Sequence, residues 1–376
     1  MDIKIIARGS PNDDFFNSLF EECIKYIPFD SKVYFVWAEP LNQLESMLNK
    51  LDYDSPNVFL FIPDDLTDRC FIVGDDQRSY IGRILAKILN NNPQTNFTLV
   101  CDIANLHLEL IEFNNIKIIE SEFMALSQKN YQLIDPVINK DFKSESGYIM
   151  LAGMATRSRI TALSYLYDQK LDSTGQILIG KSAAESLKCC PDYLTMVNWK
   201  FKEKHEHNIK TKILNGFHLL KSAHQNSQGF GMSGMHKNYI NLDKNLRQYY
   251  LNSFVEIIGE TYYEEPSFMI TEKTLHSIHG CNFPIILSSP GTVKHLEDLG
   301  IDVFNDIIDH NYDNILDPVD RVVELINSNY KLLSDVDYAK LQWRRCQNRF
   351  LTNVDFVKNQ LHKTVHQRVL NHFLSL

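Results

Sequence analysis

No stretch of this sequence supplies the roughly 18 consecutive apolar residues that a membrane-spanning helix needs, so no span is expected. The opening residues, MDIKIIARGS, lack a basic region followed by a long apolar one, which argues against a secretory signal. The seven cysteines are odd in number and scattered, without a CxxC pair or zinc-knuckle spacing. They read as reduced, mostly buried thiols of a cytoplasmic protein, in the host cytoplasm if the source is viral. The neighbours Cys189 and Cys190 are unsuited to an ordinary bridge with each other. An excess of positive charge is missing too. The net charge of −9 opposes broad, nonspecific nucleic-acid binding. Internal repeats and low-complexity linkers are also absent.

What is present fits a two-domain globular chain. Its 376 residues exceed one ordinary core, and 44% apolar with 23% charged residues is usual for such proteins. Apolar runs at Ile3–Ala7, Lys32–Trp37, Asn57–Ile62, Phe97–Cys101 and Ile116–Glu120 read as strands buried on both faces. Amphipathic segments at Asp13–Tyr26, Leu41–Leu51 and Arg78–Asn90 alternate with them, which predicts a parallel, doubly wound sheet. The polar stretch Asp135–Gly147 reads as a linker.

A second alternating set follows. Strands are expected at Tyr148–Ala152, Gln176–Ile179, Phe254–Gly259, Pro284–Leu287 and Ile301–Phe304. Helices are expected at Arg159–Gln169, Thr271–His279, Thr292–Leu299 and from Val319 onward, whereas Ala183 to about Ile240 is polar and irregular. The expected domains are 1–140 for an acceptor, 147–335 for a donor, and C-terminal helices over 336–376, for which packing back onto the first domain is one arrangement. Two such α/β units facing each other would place their strand ends on either side of a cleft.

The stretch PSFMITEKTLHSIHGCNFPIIL sets an acid and a base at the start of a short helix between two apolar runs. Thr271 is a good N-cap, so the amides after it would point outward with no partner in the helix. Such an end carries partial positive charge and suits phosphate. Lys273 adds a full charge for a pyrophosphate, and Glu272 is an acceptor for both hydroxyls of a ribose. The same tetrapeptide also reads as a plain capped helix with a glutamate in its favourable first turn.

The wider stretch SFVEIIGETYYEEPSFMITEKTLHSIHGCNFPIIL resembles the donor-binding half of GT-B glycosyltransferases, in particular the α1,3-fucosyltransferases and a related set from bacteriophages and bacteria. The shared pattern is an apolar strand ending in an acid, a variable loop, Thr-Glu-Lys, a helix and a strand containing proline. It continues through SPGTVKHLEDLGIDVFNDIIDHNYDNILDPVDR, where a Pro-Gly, a Leu-Gly, a Phe, a Tyr-Asp and an Arg recur in order. It covers Tyr249–Arg321 well, Tyr148–Gly180 loosely and the first domain hardly at all. The resemblance implies two Rossmann-like domains and transfer of a sugar from a nucleoside diphosphate sugar. Glu272 would hold the ribose, Lys273 the phosphates, and Glu260 would sit near the sugar. Arg157 and Arg159 follow a strand in a similar basic loop and would face the leaving diphosphate, a task that suits guanidinium. Glu264 and Glu272 also have the E-x7-E spacing of many retaining enzymes, although the loop is rich in acids.

The first domain would carry the acceptor and any catalytic base. Arg8, Gly9, Ser10 and Asp13 follow its first strand, Asp64 and Asp65 its third, and Asp75 and Asp76 come soon after. Asp13 and Asp75 are the preferred bases, although each is also an ordinary turn or cap residue. Tyr262, Tyr263 and Phe268 flank the donor loop and could stack on a base or sugar.

Metal is not expected. The DxD triplets at Asp52–Asp54 and Asp335–Asp337 look like turns or caps, and the pairs His205/His207 and His276/His279 lack a partner set. From Lys340 onward the basic residues Lys340, Arg344, Arg345, Arg349, Lys358, Lys363 and Arg368 face one acid, Asp355. That pattern reads as a solvated helical face or as a surface for an acidic acceptor. The resulting expectation is a glycosyltransferase without a cofactor, its co-substrate a nucleotide sugar and its acceptor a hydroxyl. Two alternatives stay open: a non-catalytic nucleotide- or glycan-binding module of the same fold, and a transferase acting on modified bases of DNA.

Overall fold

A computed structural model describes residues 2–7, 23–37, 42–62, 80–101, 106–120, 136–152, 157–179, 247–260, 268 and 270–374. The chain divides into two compact units. Unit 1 comprises Met1–Asn130, Glu265–Met269 and Gln360–Leu376; unit 2 comprises Tyr131–Glu264 and Ile270–Asn359. Each holds a parallel sheet with helices, so the expected mixed α/β architecture with two Rossmann-like sheets is what the chain adopts.

Unit 1 contains β1 (Asp2–Ala7), β2 (Lys32–Trp37), β3 (Asn57–Ile62), β4 (Asn96–Cys101) and β5 (Ile116–Glu120), all parallel and in the spatial order β1-β2-β3-β4-β5. The helices between them are α1 (Asn42–Leu48), α2 (Tyr80–Asn91) and α3 (Leu106–Glu109). This order corrects the doubly wound expectation. Right-handed crossovers that always step in one direction place every connecting helix on one face. The side chains agree. Val58, Leu60 and Ile62 of β3 and Phe97, Leu99 and Cys101 of β4 share a core with Leu44 and Leu48 of α1, Ile84, Leu85 and Ile88 of α2, and Leu106 of α3.

The alternate residues of β3 face the other way, as strand pleating requires. They are covered by the C-terminal helix α11 (Leu361–Leu374; α4 to α10 are given below): Phe373 stacks on Phe59 with ring centroids 6.0 Å apart and on Phe61 at 6.1 Å. A helix from the far end of the sequence thus supplies the layer that sequential winding leaves out.

Unit 2 contains β6 (Tyr148–Ala152), β7 (Gly175–Ile179), β8 (Val255–Gly259) and β9 (Phe283–Leu287), parallel and in the order β7-β6-β8-β9. Its helices are α4 (Arg157–Asp168), α5 (Glu272–His279), α6 (Thr292–Asp298), α7 (Pro318–Ser328), α8 (Tyr330–Ser334), α9 (Val336–Arg345) and α10 (Gln347–Asn359). Pro284 lies in the edge strand β9, where a missing N–H is tolerated.

The polar stretch before β6 has no helix or strand over residues 136–147, yet it is fastened to unit 2. The Val137 amide donates to the His279 carbonyl (2.9 Å) and the Asp141 amide to that of Leu251 (2.8 Å). The buried ammonium of Lys140 donates to the carbonyls of Tyr250 (2.7 Å) and Gly280 (2.5 Å) and to Oδ1 of Asn282. Helices α9 and α10 complete the core with Trp343 and Phe350, packed among Phe254, Phe283 and Phe304.

Residues 301–304 do not form the expected strand. Gly300 and Phe304 adopt positive φ (100° and 61°), which breaks an extended run. Between them the Asp302 backbone pairs with the side-chain amide of Asn353, its N–H donating to Oδ1 (2.9 Å) and its carbonyl accepting from Nδ2 (2.7 Å). A buried asparagine does what a neighbouring strand would have done.

Candidate functional site

In open parallel sheets, ligands bind beyond the carboxyl ends of the strands, where the strand order reverses. The described strands of unit 1 wind in one direction and give no such point. Unit 2 has one: from β6 the chain goes to β7 on one side and then to β8 on the other. The elements leaving β6 and β8 at this point are α4, which carries Arg157 and Arg159, and residue Glu260.

Glu260 follows the last residue of β8, and its amide donates to the Leu287 carbonyl at the end of β9 (3.0 Å). Its carboxylate is 1% exposed. Oε2 accepts from the Thr271 hydroxyl and Oε1 from that of Thr274 (2.5 Å). Thr271 and Thr274 stand three apart, so they share one face at the start of α5 and grip both carboxylate oxygens. Thr271 is also the N-cap: Oγ1 accepts from the Lys273 amide (3.3 Å) and from Lys273 Nζ (3.2 Å). The ammonium lies 3.9 Å from Glu260 Oε2 and the Lys273 side chain is 26% exposed. The Thr-Glu-Lys-Thr start of α5 is therefore tied to the end of β8 by a buried carboxylate, with a partly exposed cation beside it.

Arg159 is 4% exposed, and its Nε and Nη2 donate to the Gly259 carbonyl (3.1 and 2.5 Å). It braces the last residue of β8, next to Glu260. A side chain at position 259 would not fit: a Cβ there would lie 2.7 Å from Arg159 Cγ. Arg157 opens α4 and Glu272 opens α5, both placed by their backbones; their side chains lie outside the described residues, as do Asp13, Asp75, Tyr263 and Glu264. Phe268 is half-buried and groups with unit 1, whereas Lys273 groups with unit 2.

The second half of the resemblance is built from residues that hold unit 2 together. Asp313 Oδ2 accepts from the amides of Val293 (3.1 Å) and Lys294 (3.3 Å), so the start of α6 already holds a carboxylate. Burial pushes the pKa of Asp313 up, against the pull of these amides and of Arg321. The Tyr312 hydroxyl accepts from the Ile286 amide in β9 (3.1 Å). The guanidinium of Arg321, buried, donates to the carbonyls of Ile315 (2.7 Å), Ser288 (2.6 Å) and Leu316 (3.0 Å). Tyr312, Asp313 and Arg321 thereby fix the chain that follows β9.

The remaining charged groups resolve as follows. Lys32 pairs with Asp52 (2.6 Å), Asp52 Oδ1 accepts from the Asp54 amide (2.9 Å), and Asp335 caps α9 through the Tyr338 amide (2.9 Å). His279 is buried and neither ring nitrogen has a partner; burial, then the charges of His276 and Lys358, push its pKa down to about 4. Among the described residues no group of three His, Cys, Asp or Glu side chains converges. The four described cysteines, at 23, 101, 281 and 346, are buried and unbridged. Part of the basic tail is engaged internally: Arg349 pairs with Asp302 (2.6 Å) and Asp306 (2.9 Å), and Arg344 lies over the Phe142 ring. No described helix is long and apolar enough to cross a membrane.

Sequence reading missed the part played by Thr274 and Gly259. Thr274 lies one helical turn beyond the cap, and Gly259 closes a strand just before an acid. Both are visible signals, but their joint purpose depends on a residue about a dozen positions away.

No family model matches this sequence, and no curated protein matches it. Among solved structures the chain is similar to the Glycosylation Associate Protein (Gap123) complex from Streptococcus agalactiae, with 10% identity and a TM-score of 0.39, over 96% of this chain and 58% of that one. It is similar to the GtfA/B complex, with 12% identity and a TM-score of 0.33, over 93% and 60%. It is also similar to Anabaena HepE in complex with UDP and glucose, with 10% identity and a TM-score of 0.37, over 98% and 100%. The chain thus spans less than two thirds of the first two. TM-scores below 0.5 leave the reading of the site to this chain's own residues.

Proposed function

We propose that the chain transfers a sugar from a nucleoside diphosphate sugar to an acceptor hydroxyl, with the donor held at the carboxyl ends of β6 and β8. The observation that carries this reading is the convergence of Arg159, Glu260 and Lys273 at the strand-order reversal of unit 2. Lys273 would bind the phosphates, helped by amides at the start of α5 and by Arg157; Glu272 would take the ribose. Glu260 is better suited to positioning than to contact with sugar, because both of its oxygens are spent on threonine hydroxyls. It aligns Lys273, and Arg159 aligns the strand that carries Glu260. A first-domain carboxylate, Asp13 or Asp75, is the proposed base, and Tyr263 and Phe268 the proposed stacking residues. The resemblance to α1,3-fucosyltransferases is a sequence reading that leaves the sugar open.

Thermal unfolding with UDP, GDP, ADP and CDP, each in excess, tests the donor site. Binding to the native state alone raises the melting temperature. One diphosphate should do so in the wild type, and Lys273→Ala should weaken it about 10- to 100-fold, the worth of one charge-assisted contact. The reading fails if no diphosphate stabilises the chain, or if Lys273→Ala binds as well as the wild type. One observation favours the binding-only alternative: the Glu260 carboxylate, 3.9 Å from the Lys273 ammonium, is closed off by Thr271 and Thr274. Free nucleotide released from a stabilising donor, with and without acceptor, separates turnover from binding.

A further inference from the structure

Unit 1 has a groove at the end of its sheet opposite to the one where parallel sheets carry out chemistry. Its volume is about 500 Å³, within the range of small-ligand sites. Asn57 and Asn96 are the first residues of β3 and β4, and Asn114 lies in the turn before β5. Phe373 of α11, itself buried, and Tyr26 lie along the groove, and Lys117 is the one charged residue among the described lining residues.

We propose that this groove binds a neutral oligosaccharide. Among the described residues no hydrogen bond ties down the side-chain amides of Asn57, Asn96 and Asn114, and each offers paired donors and an acceptor. Asn115, by contrast, is committed to the carbonyls of Asn92 (3.2 Å) and Thr95 (3.1 Å). Three uncommitted amides on the rim of one groove match a ligand with donors and acceptors at every position, as vicinal hydroxyls provide. Tyr26, 45% exposed, adds an aromatic ring and a hydroxyl to the lining, suited to a sugar that has an apolar face and a polar edge. Among the described residues no carboxylate lines the groove, and one lysine is too little for a phosphate polymer. The site goes beyond the transferase reading and is independent of Lys273, which belongs to unit 2.

The test is native electrophoresis of the full chain through gels containing dextran, starch, mannan or galactan. One of these should retard the wild type. The triple variant Asn57→Ala/Asn96→Ala/Asn114→Ala should lose at least about tenfold in apparent affinity at an unchanged melting temperature, since the amides hold nothing in the fold. Should that variant unfold, Tyr26→Ala supplies the same readout from a single exposed residue. Lys273→Ala should be retarded like the wild type, so that failure of the donor site and failure of this one are told apart. The proposal is overturned if none of the four polysaccharides retards the chain, or if both groove variants run as the wild type does. It is also overturned if light scattering shows a dimer that the asparagine substitutions abolish while retardation is absent, because the occupant is then a second copy.

Discussion

Unit 1 steps through its strands in one direction, β1-β2-β3-β4-β5, whereas unit 2 reverses at β6 and runs β7-β6-β8-β9. Both sheets are parallel and both are made of buried apolar strands, so the difference in strand order lies in the connections. Stepping in one direction gives the described strands of unit 1 no reversal for a ligand and puts their described helices on one face, and Phe373 of α11 packs on the other. Reversal opens a crevice at the strand ends, and Arg159, Glu260 and Lys273 of unit 2 meet there. Order of connection thus decides which unit can hold a phosphate at its strand ends and which needs a helix from elsewhere.

The comparison breaks most sharply at Arg321. Arg321→Met takes a buried guanidinium away from the carbonyls of Ser288, Ile315 and Leu316, the first of them buried, which should cost unit 2 about 3–5 kcal/mol. Urea unfolding followed by hydrogen exchange should show β8 and β9 losing protection while β3 and β4 keep theirs. A uniform loss across both units would mean that the two sheets do not stand independently.

Phe373→Ala tests the opposite half. Removing the ring that covers Phe59 and Phe61 should destabilise unit 1 by about 3 kcal/mol and expose α11 to proteolysis before any other helix. If α11 resists protease as before, the face that carries Phe59 and Phe61 is covered by something else.

Unit 2 should also differ in its response to pH. Glu256 is buried beside Lys140, and burial pushes its pKa from 4.5 up to about 8, against the pull of hydrogen bonds and of Lys140. The folded state holds this proton more tightly than the unfolded chain, so the contribution is complete below pH 4.5 and is lost as pH rises through 8. Lys140, pushed by burial down to about 7, acts in the opposite sense and only above that pH. Glu256→Gln should therefore flatten the decline of unit 2 between pH 5 and 8 and exceed the wild type by about 2–3 kcal/mol near pH 7. An unchanged slope of stability against pH would show that Glu256 is already ionised in the fold.

The smallest expected effect is at His279. Its folded pKa of about 4 lies below the ordinary 6.5, so unit 2 loses stability as pH falls through that interval. His279→Leu should remove about 1–2 kcal/mol of this acid sensitivity, read as the difference in urea midpoint between pH 7 and pH 5. An unaltered difference would assign the acid response to other groups.

Much of this fold could be read before any coordinates. The runs Lys32–Trp37, Asn57–Ile62, Ile116–Glu120 and Tyr148–Ala152 have their strand ends where the sequence places them, because a strand buried on both faces is an uninterrupted apolar segment. Thr271 caps α5 for an equally local reason. Residues 301–304 misled because Ile, Val and Phe look like a strand, whereas the backbone there is bent at Gly300 and Phe304 and bound by Asn353. Arg159 and Glu260 were legible as charges at strand ends. Their partners, Gly259 for the one and Thr271 with Thr274 for the other, were not, because nothing in a linear pattern says which hydroxyl reaches which carboxylate.

The sequence by itself determined the alternation of strands and helices, the parallel sense of both sheets and the capped lysine at the start of α5, since each follows from hydrophobic period, connection length or a single side chain acting on its own backbone. Only the tertiary structure decided the order of strands, the recruitment of α11 to unit 1 and the sealing of Glu260 by two threonines. Those depend on contacts between residues far apart in the chain, whose energy is set by what they meet rather than by what they are.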